Sequence, residues 1–137
     1  MILGFDPGRD KCGLAVIGRE KQLLYHQVVA SQEAITTIQQ LVQQFDIETI
    51  VMGNQTTAKS WKQKISQDLF LSVPIVLVDE RYSSLEARDR YWQMYPPKGL
   101  TQLIPKGLRQ PPRPVDDIVA ILLIERYLQM ENRQSTF

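Results

Sequence analysis

Apolar residues along the chain fall into short runs cut by turn-forming residues, and their period changes partway. Ile2 to Phe5 is an apolar run halted by Asp6-Pro7-Gly8, the pattern of a buried strand entering a turn. A second run covers Gly13 to Ile17, Gly18-Arg19-Glu20-Lys21 reads as a hairpin turn, and a third strand covers Leu23 to Val29. Three strands joined by short polar turns predict an antiparallel meander. From there Ile35, Ile38, Leu41, Val42 and Phe45 take up helical spacing, with Ser31 as the candidate N-cap. Thr49 to Met52 is a fourth strand stopped by Gly53-Asn54. Trp61, Ile65 and Leu69 sit four apart and mark a second helix, and Pro74 opens a fifth strand, Ile75 to Val78.

Beyond that strand, Ser83-Ser84-Leu85-Glu86 matches a capping box and starts a helix running to about Tyr95. From Pro96 to Pro114 prolines and glycines crowd the chain, which predicts a long irregular loop. The last helix opens near Asp116 and runs through Ile118, Ile121, Leu122 and Tyr127 to about Met130, with Arg133 to Phe137 expected to fray. The order is βββ, α, β, α, β, α, loop, α. It predicts an α/β fold in which helices pack on the faces of a mixed sheet, an order that suits an RNase H-like domain. No repeat or boundary interrupts it, so residues 1–137 are expected to form a single domain.

Composition narrows the classes of function. At 43% hydrophobic and 23% charged residues the chain is an ordinary globular sequence, and a net charge of +1 is too small for a general nucleic-acid coat protein. Any nucleic-acid binding must therefore rest on local patches. Cys12 is the sole cysteine, which excludes an internal disulfide, fits a reducing compartment and reads as a small buried apolar residue. The N-terminus has no basic region or cleavage site, and no uncharged apolar stretch is long enough to span a bilayer. A cytoplasmic protein without a membrane partner, monomeric or homodimeric, is expected.

The candidate chemistry lies in acids at the ends of elements. Asp6 follows the first strand, Asp79 and Glu80 follow the fifth, and Asp116 and Asp117 open the last helix. Hydrolysis of a phosphodiester requires stabilisation of both the attacking and the leaving oxygen, which two carboxylate-bound metal ions supply. Hard ions prefer such oxygen ligands, and with one histidine (His26, within a strand pattern) and one cysteine a zinc site is excluded; the expected ions are Mg²⁺ or Mn²⁺. Each acid also has an ordinary structural role: Asp6 as a turn residue, Glu80 paired with Arg81, and Asp116 and Asp117 as helix caps. Their joint placement at element ends favours function.

Cations gather before the last acids. Between Tyr91 and Val115 no acid occurs, while Lys98, Lys106, Arg109 and Arg113 do, with Tyr91, Trp92 and Tyr95 at the start of the span. Cations suit phosphates and exposed aromatics suit unpaired bases, whereas a solvated loop with its aromatics in the core is the competing reading. Arg9 and Lys11, after Asp6, extend the same candidate patch, and Arg81 either contacts phosphate or orients a carboxylate.

In order, Ile2-Leu3-Gly4-Phe5-Asp6-Pro7-Gly8 with Gly13-Leu14-Ala15-Val16, then Asp79-Glu80-Arg81-Tyr82-Ser83-Ser84, then Val115-Asp116 with Ala120, Leu122, Tyr127 and Leu128 resemble the YqgF (RuvX) family of RuvC-like proteins. The resemblance covers nearly the whole chain. It implies an RNase H-like fold and a metal-dependent nuclease site at Asp6, Glu80 and Asp116, acting on structured RNA or branched DNA. The family roles it implies are maturation of the 16S ribosomal RNA precursor or resolution of Holliday junctions. Gly53-Asn54-Gln55 departs from the family's usual Gly, apolar residue and Pro, and Val119 stands where RuvC resolvases usually carry a further carboxylate. Asp116 and Asp117 project about 100° apart on a helix, so they cannot serve one metal alike. Asp116 shares its face with Ala120 and matches the family position, which makes it the inner candidate and leaves Asp117 as a cap or outer-shell group, alongside Asp79 and Arg81.

Two rival readings are set beside this one. Asp6-Pro7-Gly8 with Gly13 also looks like the first phosphate loop of actin-like and sugar-kinase ATPases, which need a second domain. The other rival is a nucleic-acid- or ribosome-binding factor that keeps the fold without cleavage.

Overall fold

The computed structural model describes residues 1–69 and 73–135. Five strands form one sheet: β1 (Ile2–Asp6), β2 (Lys11–Ile17), β3 (Leu23–Ala30), β4 (Thr49–Gly53) and β5 (Ile75–Val78), in the order β3-β2-β1-β4-β5. β1 to β3 make the antiparallel meander, while β4 and β5 join parallel to β1. Helices α1 (Ala34–Gln44), α2 (Ala58–Leu69), α3 (Ser83–Met94) and α4 (Asp116–Ser135) complete the fold. None of the described helices is long and apolar enough to cross a membrane.

Strand alternation divides the side chains between two faces. Leu3 and Phe5 of β1 join Leu14, Val16, Ile50 and Met52 in a core closed by α1 and α2, where Phe5 meets Trp61 edge to face. The intervening positions turn to the other face, under α3 and α4, where Val51 and Val78 pack with Tyr91, Ile118 and Leu122. Asp6 shares its parity with Gly4, and Gly4 lies under Ala120 of α4. A Cβ at Gly13 would overlap the backbone of Asp116, so glycine there lets the first turn of α4 rest directly on β2. Asp6 pairs with that same Gly13 across the sheet.

Three local expectations give way to longer-range contacts. Ser31 begins a 3-10 turn instead of capping α1, because its hydroxyl donates to the Gly8 carbonyl 23 residues away (2.8 Å). Ser83 and Glu86 form no capping box: Tyr82, in the left-handed region at φ 62°, precedes α3, and no side chain caps it. The expected fray from Arg133 is instead helical to Ser135, with Thr136 and Phe137 outside the described residues. The Leu69 side chain predicted for α2 also lies outside them. Cys12 is fully buried, as its type suggested.

Candidate functional site

Because β1, β4 and β5 are parallel, their C-terminal ends share one edge of the sheet, and β2 starts at that edge. Asp6 ends β1, Glu80 follows β5, and α4 brings Asp116 in over Gly13. All three acids singled out in the sequence thus lie at one edge of the sheet. Gly53, at the end of β4, makes room for Glu80: a Cβ there would stand 2.7 Å from its Oε2.

Asp6 is only 8% exposed. Burial, reinforced by the negative charges of Asp116 and Glu80, pushes its pKa up to about 8. The opposing influence is Gln55, whose Nε2 donates to Asp6 Oδ1 (3.2 Å) and to the Pro7 carbonyl (3.0 Å). Asp6 lies beside Asp116, and its raised pKa leaves it protonated at neutral pH. Burial raises the pKa of Asp116 as well, with the Asp117 charge adding to it and the Lys11 ammonium opposing. Glu80, half-buried, is also raised by burial, against the Gln55 amide and the Arg126 guanidinium.

The two adjacent aspartates part company. Asp117 is 2% exposed and turns to β3, where Oδ2 meets His26 Nδ1 at 2.6 Å and Oδ1 accepts from Arg113 at 3.0 Å. Burial alone would raise its pKa, but the bonds from Arg113 and His26 outweigh that and hold it below the ordinary value. Asp79 is exposed, and its Oδ1 accepts from the Arg81 backbone N–H (2.9 Å).

Two contributors went unnoticed in the sequence. Gln55 was visible only as a departure from the family pattern. Arg126, ten residues into α4, carried no signal at all; its guanidinium donates to the carbonyls of Asp79 (2.7 Å) and Arg81 (2.8 Å) and pairs with Glu86 (3.1 Å), clamping the turn that carries Glu80. A bidentate Arg90–Glu125 pair (2.9 and 2.8 Å) further fastens α3 to α4.

The predicted basic residues divide by role. Arg9 and Lys11 are exposed at the carboxylate edge, and Arg81 is exposed beside Glu80. Lys98 and Lys106 are exposed on the loop between α3 and α4. Arg109 braces that loop through the carbonyls of Ile104 (2.9 Å) and Gln102 (3.2 Å). Arg113 holds Asp117 and lies over the rings of Tyr91 (5.4 Å) and Tyr95 (5.8 Å). Tyr91 is buried and Trp92 packs against the same core, which leaves Tyr95 as the exposed aromatic of the three.

The donor set is chemically suited to a hard divalent cation: three carboxylates, oxygen only, one of them holding a proton that a cation can replace. Among the described residues no group of three or more His, Cys, Asp or Glu side chains is already gathered closely enough to hold an ion. Asp6 and Asp116 touch, and Glu80 reaches them through its charge and the intervening Gln55 amide.

Comparison with known proteins gives a family and a fold. Residues 1–130 match the model of the family described as RuvX, Holliday junction resolvase. A solved structure of RuvC from Thermus thermophilus matches with a TM-score of 0.51 at 16% identity, covering 94% of this chain and 95% of that one. That likeness shows the RNase H-like fold. No curated protein sequence matches the chain.

Proposed function

The chain belongs to the RuvX family of Holliday junction resolvases, and from that premise we propose that it is a nuclease that hydrolyses a phosphodiester of structured RNA or branched DNA. Asp6, Glu80 and Asp116 are the proposed ligands of Mg²⁺ or Mn²⁺ and the catalytic groups. The observation that carries the reading is the Asp6–Asp116 pair: two touching acids, one of them pushed up to about 8, are kept at a cost that a purely structural turn does not need. A bound divalent ion would stabilise the attacking and leaving oxygens of the phosphodiester.

The chain's own groups prepare that chemistry. Asp6 sits at the end of a central strand with Gln55 fixing Oδ1, a rigid placement that loop residues rarely achieve. Asp6, with its pKa pushed up to about 8, keeps its proton at neutral pH and would have to give it up to hold a divalent ion beside Asp116. Arg126 fixes the turn carrying Glu80. Arg9 and Lys11, at the same edge, supply positive charge for phosphates flanking the scissile one. Residues 1–137 act as one cytoplasmic domain in this reading.

The test is a cleavage assay with Mn²⁺ or Mg²⁺ on precursor 16S ribosomal RNA, single-stranded RNA, duplex DNA and four-way DNA junctions. Ion-dependent cleavage of at least one substrate, lost in Glu80→Gln, is expected. Binding without cleavage of any substrate would instead assign a non-catalytic nucleic-acid- or ribosome-binding role.

A further inference from the structure

The loop between α3 and α4 holds two 3-10 turns, Gly99–Leu103 and Lys106–Leu108, neither of which buries a residue. Leu100, Leu103 and Leu108 are 82%, 79% and 72% exposed. Residues three apart eclipse on a 3-10 turn, so Leu100 and Leu103 stand in line as a short ridge. The ridge is not exposed through slackness. Gln102 Nε2 donates to the Pro97 carbonyl (3.1 Å), Arg109 donates to two further loop carbonyls, and Ile104 N–H donates to Thr101 (3.1 Å). At the root, Arg113 ties the loop to Asp117, next to Asp116.

The fold itself leaves this ordered ridge of leucines facing solvent, which points to a partner. Charge identifies its class. Residues 91–115 contain no acid, and with Arg109 and Arg113 engaged within the fold the exposed Lys98 and Lys106 flank the ridge, which selects a polyanion. Size agrees: a few leucines separated by lysines and prolines fall well short of the roughly 800 Å² per side of a stable protein interface. Nothing lies within 4 Å of where a Cβ would stand at Gly99 or Gly107, so the turns project clear of the body. A narrow apolar ridge between cations matches the way side chains enter an opened base step while neighbouring lysines take the phosphates.

We propose that Leu100 and Leu103 form a wedge that enters an opened base step of the nucleic-acid substrate, with Lys98 and Lys106 on the flanking phosphates. This rests on the nuclease reading above for its substrate and names the side chains that would enter the opened step and hold its flanking phosphates.

The experiment uses the full chain in EDTA, which prevents ion-dependent cleavage, and four-way-junction and bulged probes carrying 2-aminopurine at the branch or bulge. The parent is expected to raise 2-aminopurine fluorescence at saturation. Leu100→Ser/Leu103→Ser, whose exposed positions leave circular dichroism unchanged, is expected to lose that rise. Its affinity should stay within about tenfold of the parent, since the cost of unstacking is no longer incurred either. Lys98→Gln/Lys106→Gln is expected to weaken binding and lower the slope of log affinity against log salt by about 2. A parent that binds without a fluorescence rise, or a leucine variant that unstacks as the parent does, overturns the wedge. So does a parent that does not bind, or a dimeric parent made monomeric by the leucine substitutions. Cleavage measured separately with Mn²⁺ distinguishes the failures: cleavage without unstacking removes the wedge alone, and unstacking without cleavage removes the nuclease reading alone.

Discussion

Asp6→Asn is expected to abolish cleavage and, unusually for a buried polar position, to stabilise the ion-free protein. The sign follows from linkage. The Asp6 pKa rises from an ordinary 3.8 to about 8 on folding, so between those limits the folded state binds more protons than the unfolded chain. Its contribution is neutral below about pH 4, becomes increasingly unfavourable as pH rises, and levels off above about pH 8. Four pKa units set a ceiling of about 6 kcal/mol. Water entering around the ionised pair and movement of the Asp116 side chain reduce this, and a gain of about 2 kcal/mol at pH 8 is expected for the asparagine variant. At this chain length that is roughly 6 °C in Tm. Asparagine preserves the shape of the protonated acid and the acceptor for Gln55 Nε2, so no buried donor is orphaned. Thermal melts of both proteins from pH 5 to pH 8 in EDTA check the claim, with the gap widening as pH rises. Adding Mg²⁺ should raise the parent's Tm more than the variant's if the intact acid cluster holds the ion as proposed. A variant less stable than the parent throughout, or pH profiles that run parallel, would show that Asp6 is a turn residue and that its environment does not penalise its charge.

Two further substitutions probe the supports of the site. Arg126→Ala should cost about 1–2 kcal/mol in chemical denaturation and lower cleavage through displacement of Glu80, because two backbone carbonyls lose a charged donor; unchanged activity would show that the clamp does not position Glu80. Asp117 is held below its ordinary pKa, so its bonds to Arg113 and His26 contribute stability above about pH 4 that is lost as pH falls further. Arg113→Ala should therefore destabilise by about 2 kcal/mol at pH 7 and by much less near pH 3, a difference readable from urea midpoints, and an equal loss at both pH values would refute the pairing.

The residues that the sequence made legible are those whose role depends on type and local period. Runs such as Ile2–Phe5 and Ile75–Val78 read as strands because apolar stretches ended at turn residues, and all five strands appear where those runs lie. The carboxylate edge was legible for the same reason: Asp6 ends a strand, Glu80 follows one and Asp116 opens a helix, each at an element boundary. Errors arose wherever a side chain had a choice of partners. Ser31 and Ser83 carry cap chemistry, but the Ser31 hydroxyl is drawn to Gly8 across the fold and Ser83 enters α3 itself as a buried first residue. The end of α4 was placed at its last apolar residue, although nothing between Glu131 and Ser135 is a glycine or proline that would stop a helix. Charge counting treated Arg109 and Arg113 as equivalent to Lys98 and Lys106, yet guanidinium forks are suited to bracing carbonyls and carboxylates, and that is where both are found. The pairing of His26 with Asp117 spans 91 residues and leaves no local trace. One tertiary distinction could still be drawn in advance, because it reduces to helix geometry. Adjacent residues about 100° apart on α4 must face different strands, so an α4 that seats Asp116 on the β1–β2 pair necessarily delivers Asp117 towards β3. The short connection between the two aspartates thereby separates an acid left beside Asp6 from one held by His26 and Arg113.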